Sequence, residues 1–341
     1  MIIMALGRVK VWAALEDLNA ADLNAEFNNI LNNALSLISP LTGILDLNNF
    51  QITNHLLERV SSNPTPATES RIFYNTTRDF AAIDDSAAIR QLLDAHHAAG
   101  LIWGLTLSNG TDATNDINIA AGACVESTNV AAMRNTATLT KQLDAAWAVG
   151  TDAGGLDTGV IANTTYHVHL IQRVDTGVVD ALFSISATAP TMPTNYTLRR
   201  RIGSIVRTGA TIVGFVQVGD RFDLLVPINS IDTTNPGTSA VTATLVNVPA
   251  LANLEARIGI SVNTGAGGGV SMLFTALDTT DTVPSNTVSH IRVGASTAGG
   301  GELAVRTNAT PAIRYRTDFS DGSVIVRITT MGWVDTRGRL A

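Results

Sequence analysis

Arg257-Ile258-Gly259-Ile260-Ser261-Val262 and Ser323-Val324-Ile325-Val326-Arg327-Ile328-Thr329 decide the fold. In the first stretch Ile258, Ile260 and Val262 point one way, and in the second Val324, Val326 and Ile328 do the same. An apolar period of two marks a strand with one face on a core. Short apolar runs of this kind fill the chain from Thr106 onward, at 165–172, 178–184, 202–206, 211–217, 241–246, 270–277, 289–293 and 312–317. Turn chemistry separates them: Asn109-Gly110, Asp175-Thr176-Gly177, Thr208-Gly209, Asn235-Pro236-Gly237 and Asp321-Gly322. Strands at this spacing predict β-sandwich or jelly-roll modules. Residues 227–237, rich in Pro, Asn and Gly, are the best internal boundary, so the expected modules are 106–230 and 231–341.

The composition agrees with a β protein and excludes several classes. The chain has 341 residues, 45% apolar, 5% aromatic and 15% charged, with a net charge of −7. Ordinary apolar content excludes global disorder, and no run approaches the roughly 18 apolar residues of a membrane helix. Met1 to Leu6 is too short for the apolar region of a signal peptide. Lys occurs only at Lys10 and Lys141 and the chain reads as having no basic run, so no polyanion-binding surface, nucleic acid included, is expected. The lone Cys124 excludes an intrachain disulfide framework or a cysteine zinc site and fits synthesis in a reducing cytoplasm. Abundant Thr and Val suit strands, while Gly and Asn suit turns.

Before Thr106 the pattern differs. Leu23, Phe27, Ile30, Ala34 and Leu37 alternate in steps of four and three, a heptad seam on a helix spanning 19–39. Asn19 is the expected N-cap, with Asp22 in the first turn and Pro40 as the stop. A helix this short needs a packing surface, and two readings stand: its own domain, or a bundle with copies of the chain. Residues 44–54 alternate without a clean apolar face, and 61–66 reads as a linker. Residues 71–75 read as a strand and 86–99 as a helix ended by Gly100. The N-terminal segment is then 1–60, with a connecting element over 61–105.

Candidate chemistry is sparse. Asp157-Thr158-Gly159 and Asp175-Thr176-Gly177 match the aspartic-protease tripeptide, but they lie too close for two lobes and read as turns. His167 and His169 share a strand face and would fit a shared metal, yet no further ligand stands nearby, so they read as half-exposed strand histidines. The runs Gly265-Ala266-Gly267-Gly268-Gly269 and Gly299-Gly300-Gly301 lack the Lys and the helix of a phosphate loop and read as hairpin loops. No catalytic residue, metal or cofactor is assigned, and the expectation is a non-enzyme.

Ala5-Leu6-Gly7-Arg8-Val9-Lys10-Val11-Trp12 and Leu18 to Ile30 resemble the N-terminal part of tailed-phage tail-fibre proteins. Pro40-Leu41-Thr42-Gly43-Ile44-Leu45-Asp46-Leu47-Asn48-Asn49-Phe50-Gln51-Ile52-Thr53-Asn54 is similar to a segment of fibre shafts, and Ser70-Arg71-Ile72-Phe73-Tyr74-Asn75-Thr76-Thr77 to a further fibre element. That element usually leads into a short strand and loop, from which a helix over 86–99 departs. The segments from Leu143 to Ile205 and from Ile328 to Asp335 resemble fibre β-modules. The resemblance implies a homotrimeric virion fibre, assembled in the host cytoplasm. Its N-terminus would dock on other tail or baseplate proteins, and its distal modules would face a host-surface glycan or protein. In that orientation Arg314 and Arg316, opposite Ile313 and Tyr315, are candidate receptor contacts, against an exposed basic face or a subunit contact. The rival functions are a glycan depolymerase, disfavoured because no repeat period appears, and a purely structural fibre or adaptor on tail or capsid.

Overall fold

The computed structural model describes residue 17 and residues 19–33, 58–60, 71–75, 80–84, 89–91, 99–129 and 131–339. The chain is mainly β with a short N-terminal helix and divides into two compact units, residues 1–92 and 93–341.

In the first unit the helix α1 spans Ala20–Asn33. Asn19 caps it: its Oδ1 accepts the Asp22 backbone N–H at 2.9 Å and its Nδ2 donates to the Asp22 carboxylate at 2.7 Å. Leu23 is half-buried and Phe27 is 59% exposed, while Ala34 and Leu37 lie outside the described residues, as does 44–54. Four strands follow, β1 (Glu58–Val60), β2 (Arg71–Asn75), β3 (Phe80–Asp84) and β4 (Ile89–Gln91). β1 runs parallel to β2, and β2, β3 and β4 are antiparallel neighbours. The helix expected over 86–99 is therefore corrected at 89–91. There the backbone pairs with Ala82, Ile83 and Asp84, because an available sheet edge outcompetes a short, unsupported helix.

The second unit begins with β5 (Ile102–Gly104), β6 (Leu107–Asn109), β7 (Asp116–Ile119), β8 (Gly122–Val125) and β9 (Ala132–Asn135). Next come β10 (Leu139–Ala146), β11 (Ala153–Leu156), β12 (Thr165–Arg173), β13 (Val179–Ser184), β14 (Tyr196–Thr208) and β15 (Thr211–Ile212). Then follow β16 (Phe215–Val218), β17 (Arg221–Thr234), β18 (Val241–Thr244), β19 (Glu255–Asn263) and β20 (Val270–Thr275). β21 (Ile291–Val293), β22 (Ala298–Arg306), β23 (Ala312–Thr317) and β24 (Ile325–Val334) complete it. Eight strands form one sheet in the order β15-β14-β12-β13-β11-β10-β7-β6, and β5-β8-β9 form a small one. The C-terminal half has a five-stranded sheet, β16-β17-β24-β19-β22, and a four-stranded sheet, β18-β23-β20-β21.

The two stretches that decide the fold are partners. Ile260 pairs with Ile328 and Val262 with Val326, and Ile258, Val262, Val324, Val326 and Ile328 are fully buried. They belong to a hydrophobic core that also holds Tyr166, Phe183, Phe222 and Trp333, from both halves of the unit. At the middle of it the Phe222 and Trp333 rings stack at 5.2 Å, with Phe215 tilted against both. The boundary expected at 230/231 falls inside β17.

Two local features differ from expectation. Gly299-Gly300-Gly301 is not a loop but part of β22, paired with Val262, Ser261 and Ile260. A Cβ at Gly300 would collide with the Ile260 carbonyl oxygen, so glycine permits the close approach. The strand expected at 211–217 is split into β15 and β16. Gly265–Gly269, in contrast, lies in the connection between β19 and β20.

Candidate functional site

A cleft of about 520 Å³ lies along β14 where that strand has one neighbour only, since β15 pairs just with Arg207 and Thr208. Its walls come from Arg199, Arg200 and Arg201 of β14, His169 of β12, Ser127, Ala187 and Thr188, the turn 251–254, and the tail 335–338. This edge is partly closed, since the Ser127 backbone N–H donates to the Arg199 carbonyl at 2.9 Å, and three successive arginines line it.

The floor is a closed polar network. Asp335, 1% exposed, accepts Arg201 Nη1 at 2.5 Å and Arg201 Nη2 at 2.9 Å in a bidentate pair, and the Arg337 backbone N–H at 2.7 Å. Ser204 Oγ donates to Asp335 at 3.3 Å and accepts Arg201 Nη1 at 3.0 Å. It lies 2.9 Å from His167 Nδ1. With the hydroxyl proton on the carboxylate side, His167 Nδ1 carries a proton and donates to the serine. This is the reverse of an activated serine, whose proton passes to the imidazole. Burial, and then the nearby Arg201 charge, pushes the His167 pKa down to about 4, so the ring is neutral at pH 7.

His169, also buried, sits one pleat along. Its Nε2 meets the Ser186 carbonyl oxygen at 3.0 Å, which requires Nε2–H and leaves Nδ1 as a bare acceptor. Burial pushes its pKa down to about 3. His169 Nδ1 is buried with no hydrogen-bond partner among the described residues, and so is Arg200 Nε. Arg200, 5% exposed, is held by Nη2–H donating to the Gly338 carbonyl at 2.9 Å. Arg199 donates through Nε to the Thr188 carbonyl at 3.2 Å. Neither Arg199 nor Arg200 is in an ion pair among the described residues, whereas Arg337 is paired with Asp220, which also meets Arg339.

Other sites expected from sequence take other roles. His167 and His169 are buried rather than half-exposed, because β12 is covered on both faces in the middle of its sheet. Among the described residues no group of three or more His, Cys, Asp or Glu side chains could hold a metal, and no helix is long and apolar enough to cross a membrane. Asp175-Thr176-Gly177 forms the turn between β12 and β13, with Asp175 paired to Arg173. Cys124 is enclosed in the core, and burial raises its thiol pKa to about 12.

Arg314 and Arg316 do share a face of β23, opposite buried Ile313 and Tyr315. Arg314 donates to the Leu277 and Thr279 carbonyls at 3.0 and 2.8 Å. Arg316 donates to the Thr238 carbonyl at 3.0 Å and pairs with Asp281 at 2.7 Å. Both guanidinium groups thus hold the 277–281 loop against the sheet. The arginine cleft escaped the sequence reading because its walls are drawn from positions 127 to 338. The available signal was Arg199-Arg200-Arg201, a run of three in a chain of low charge.

No protein-family model and no curated protein matches this chain. Among solved structures, the infectious bursal disease virus VP2 subviral particle is similar over 69% of this chain and 72% of that one, at 12% identity and a TM-score of 0.21. T=1 particles derived from the same virus give 12% identity over 69% of each chain, with a TM-score of 0.20. Superposition at that level is no evidence of a shared fold.

Proposed function

We propose that the chain is a non-enzymatic, homotrimeric fibre protein of a tailed-phage virion. It is mounted on tail or baseplate proteins through residues 1–60 and contributes to recognition of a host-surface glycan or protein. What supports this reading is the fibre-like segment 70–77, whose residues 71–75 form β2, antiparallel to β3 at Phe80–Asp84. The capped α1 supports it too. Its Phe27 ring, at the centre of the heptad seam, is 59% exposed in the single chain, as expected of a residue that meets copies of itself. Val216, Val218, Leu225 and Val226, all exposed, give the second unit an apolar surface of its own around β16 and β17.

Sedimentation equilibrium of the full chain tests the reading. The wild type is expected to be a trimer. Phe27→Asp, which places a charge in the seam, should weaken assembly by about 3 kcal/mol or more without changing the β-type circular dichroism. A monodisperse wild-type monomer would overturn it.

A further inference from the structure

We propose that Lys141 and Asp180 are a covalent modification site, at which the side-chain amine and carboxyl condense into an amide that staples β10 to β13. The two groups are already held as reactants. Lys141 Nζ lies 3.2 Å from Asp180 Oδ1, and the side chains are 0% and 1% exposed. Nζ is also fixed by the Ala148 carbonyl at 2.6 Å and the Gly150 carbonyl at 3.1 Å. Two backbone N–H groups fix the carboxylate, Gly150 donating to Oδ2 at 2.8 Å and Ala181 to Oδ1 at 2.6 Å. Reacting groups held in this way reach effective concentrations on the order of 10⁵ M or more. Donors on both oxygens also stabilise the negative charge that collects there as nitrogen adds to carbon.

The surroundings favour the uncharged pair that reacts. The centre of the half-buried Trp147 ring is 5.6 Å from Nζ, and burial lowers the Lys141 pKa against the opposing pull of Asp180. Proton transfer from ammonium to carboxylate relieves the desolvation of two buried charges and frees the nitrogen lone pair. That pair adds to Cγ, the Cγ–Oδ1 bond breaks, and a second Nζ proton leaves with the oxygen as water. Nothing is oxidised or reduced, and no co-reactant is needed. The product keeps its partners: the one remaining N–H has the Ala148 carbonyl, and Oδ2 keeps the Gly150 N–H. The sheet allows the reach, because β11 lies between β10 and β13 and crosses the pair at a glycine. A Cβ at Gly155 would come within 2.7 Å of the Phe183 ring and 3.1 Å of Lys141 Cβ. The staple would clamp three strands in a chain whose single cysteine can form no intrachain disulfide. This assignment does not rest on the fibre reading, since both residues belong to the second unit.

An ordinary buried ion pair is the rival, and mass spectrometry of the full chain, held folded overnight and then denatured, separates the two. The wild type is expected to be lighter than its sequence mass by one water. Trypsin cannot cut after an acylated lysine, so the digest should contain a branched product joining residues 135–173 to 174–199 through Lys141 and Asp180. Lys141→Arg keeps the positive charge beside Asp180 but offers no amine, and should have its full sequence mass. A wild type at full mass, cut by trypsin after Lys141, overturns the proposal and leaves the ion pair. Loss of water without the branched product, or the same loss in Lys141→Arg, places the dehydration elsewhere and overturns it as well. If Lys141→Arg does not fold, the wild-type digest decides alone, since the branched product is either present or absent.

Discussion

Neutral, buried His167 and His169 tie the stability of the second unit to pH. Their folded pKa values of about 4 and 3 lie below the ordinary 6.5, and burial is the leading cause for both. Above pH 6.5 both states are neutral at these positions. As pH falls through 6.5 the unfolded chain takes up two protons that the folded chain refuses, so stability drops until the folded rings protonate near pH 4 and 3. The expected slope between pH 6 and 4 approaches about 2.7 kcal/mol per pH unit, the value for two sites. Urea titrations across that range measure it. His169→Gln keeps a donor for the Ser186 carbonyl and should halve the slope, and an unchanged slope would show that His169 is not one of the groups involved. Lys141 is the other buried titratable group of note. Its ammonium pairs with Asp180 at 3.2 Å and donates to the Ala148 and Gly150 carbonyls, and Asp180 in turn accepts the Gly150 backbone N–H. Burial, the leading cause, lowers the Lys141 pKa, and Asp180 opposes that shift. Such a pair fixes geometry more than it adds stability, and removing one partner strands the other charge.

In β24 a single glycine controls two sheet neighbours. Gly332 stands between Asp223 of β17 and Arg257 of β19, and pairing with both strands shifts register beside it. Its φ of +151° is unfavourable for side-chain-bearing residues, and a Cβ there would strike the Phe222 carbonyl oxygen. With no side chain in the way, the Arg257 guanidinium reaches across β24 to Asp223, and its other edge meets Glu302. Gly332→Ala is expected to destabilise the unit by about 3 kcal/mol or more, with loss of the near-ultraviolet signal of the Trp333–Phe222 stack. A melt within 0.5 kcal/mol of wild type, on the usual scale for neutral surface changes, would refute the role given to this bulge. The sequence made β19, β23 and β24 legible because their faces alternate cleanly. It hid β10, where Lys141 occupies a buried position between Leu139 and Leu143 and its partner Asp180 is remote in sequence. It hid β22, because glycines carry no periodicity. β17 was read as a boundary because of Pro227. That proline is tolerated because residues 224–227 have no partners in β24, so its missing N–H leaves no ladder bond unmade. Of the candidate cleft, only the arginine run was visible, since the remaining walls meet through tertiary structure alone.

At the scale of the whole chain, one core joins residues that flank the expected boundary at 230/231. Leu107 and Phe222 both crowd the position a Cβ of Gly203 would occupy, and Trp333 stacks on Phe222. Residues 93–341 should therefore unfold in a single cooperative transition, and a fragment of those residues should give coincident circular dichroism and tryptophan-fluorescence melts. Two separated transitions, one for each half, would contradict a shared core. Cys124 lies in that same core, 1% exposed, with a thiol that holds its proton up to about pH 12. As the sole sulfhydryl of the chain, it is silent toward alkylating and oxidising reagents while the protein stays folded. Its labelling is then a clock for opening. Pulses of iodoacetamide timed against native protein would count excursions from the folded state, and a preparation handled in air would stay free of thiol cross-links for as long as the core remains shut.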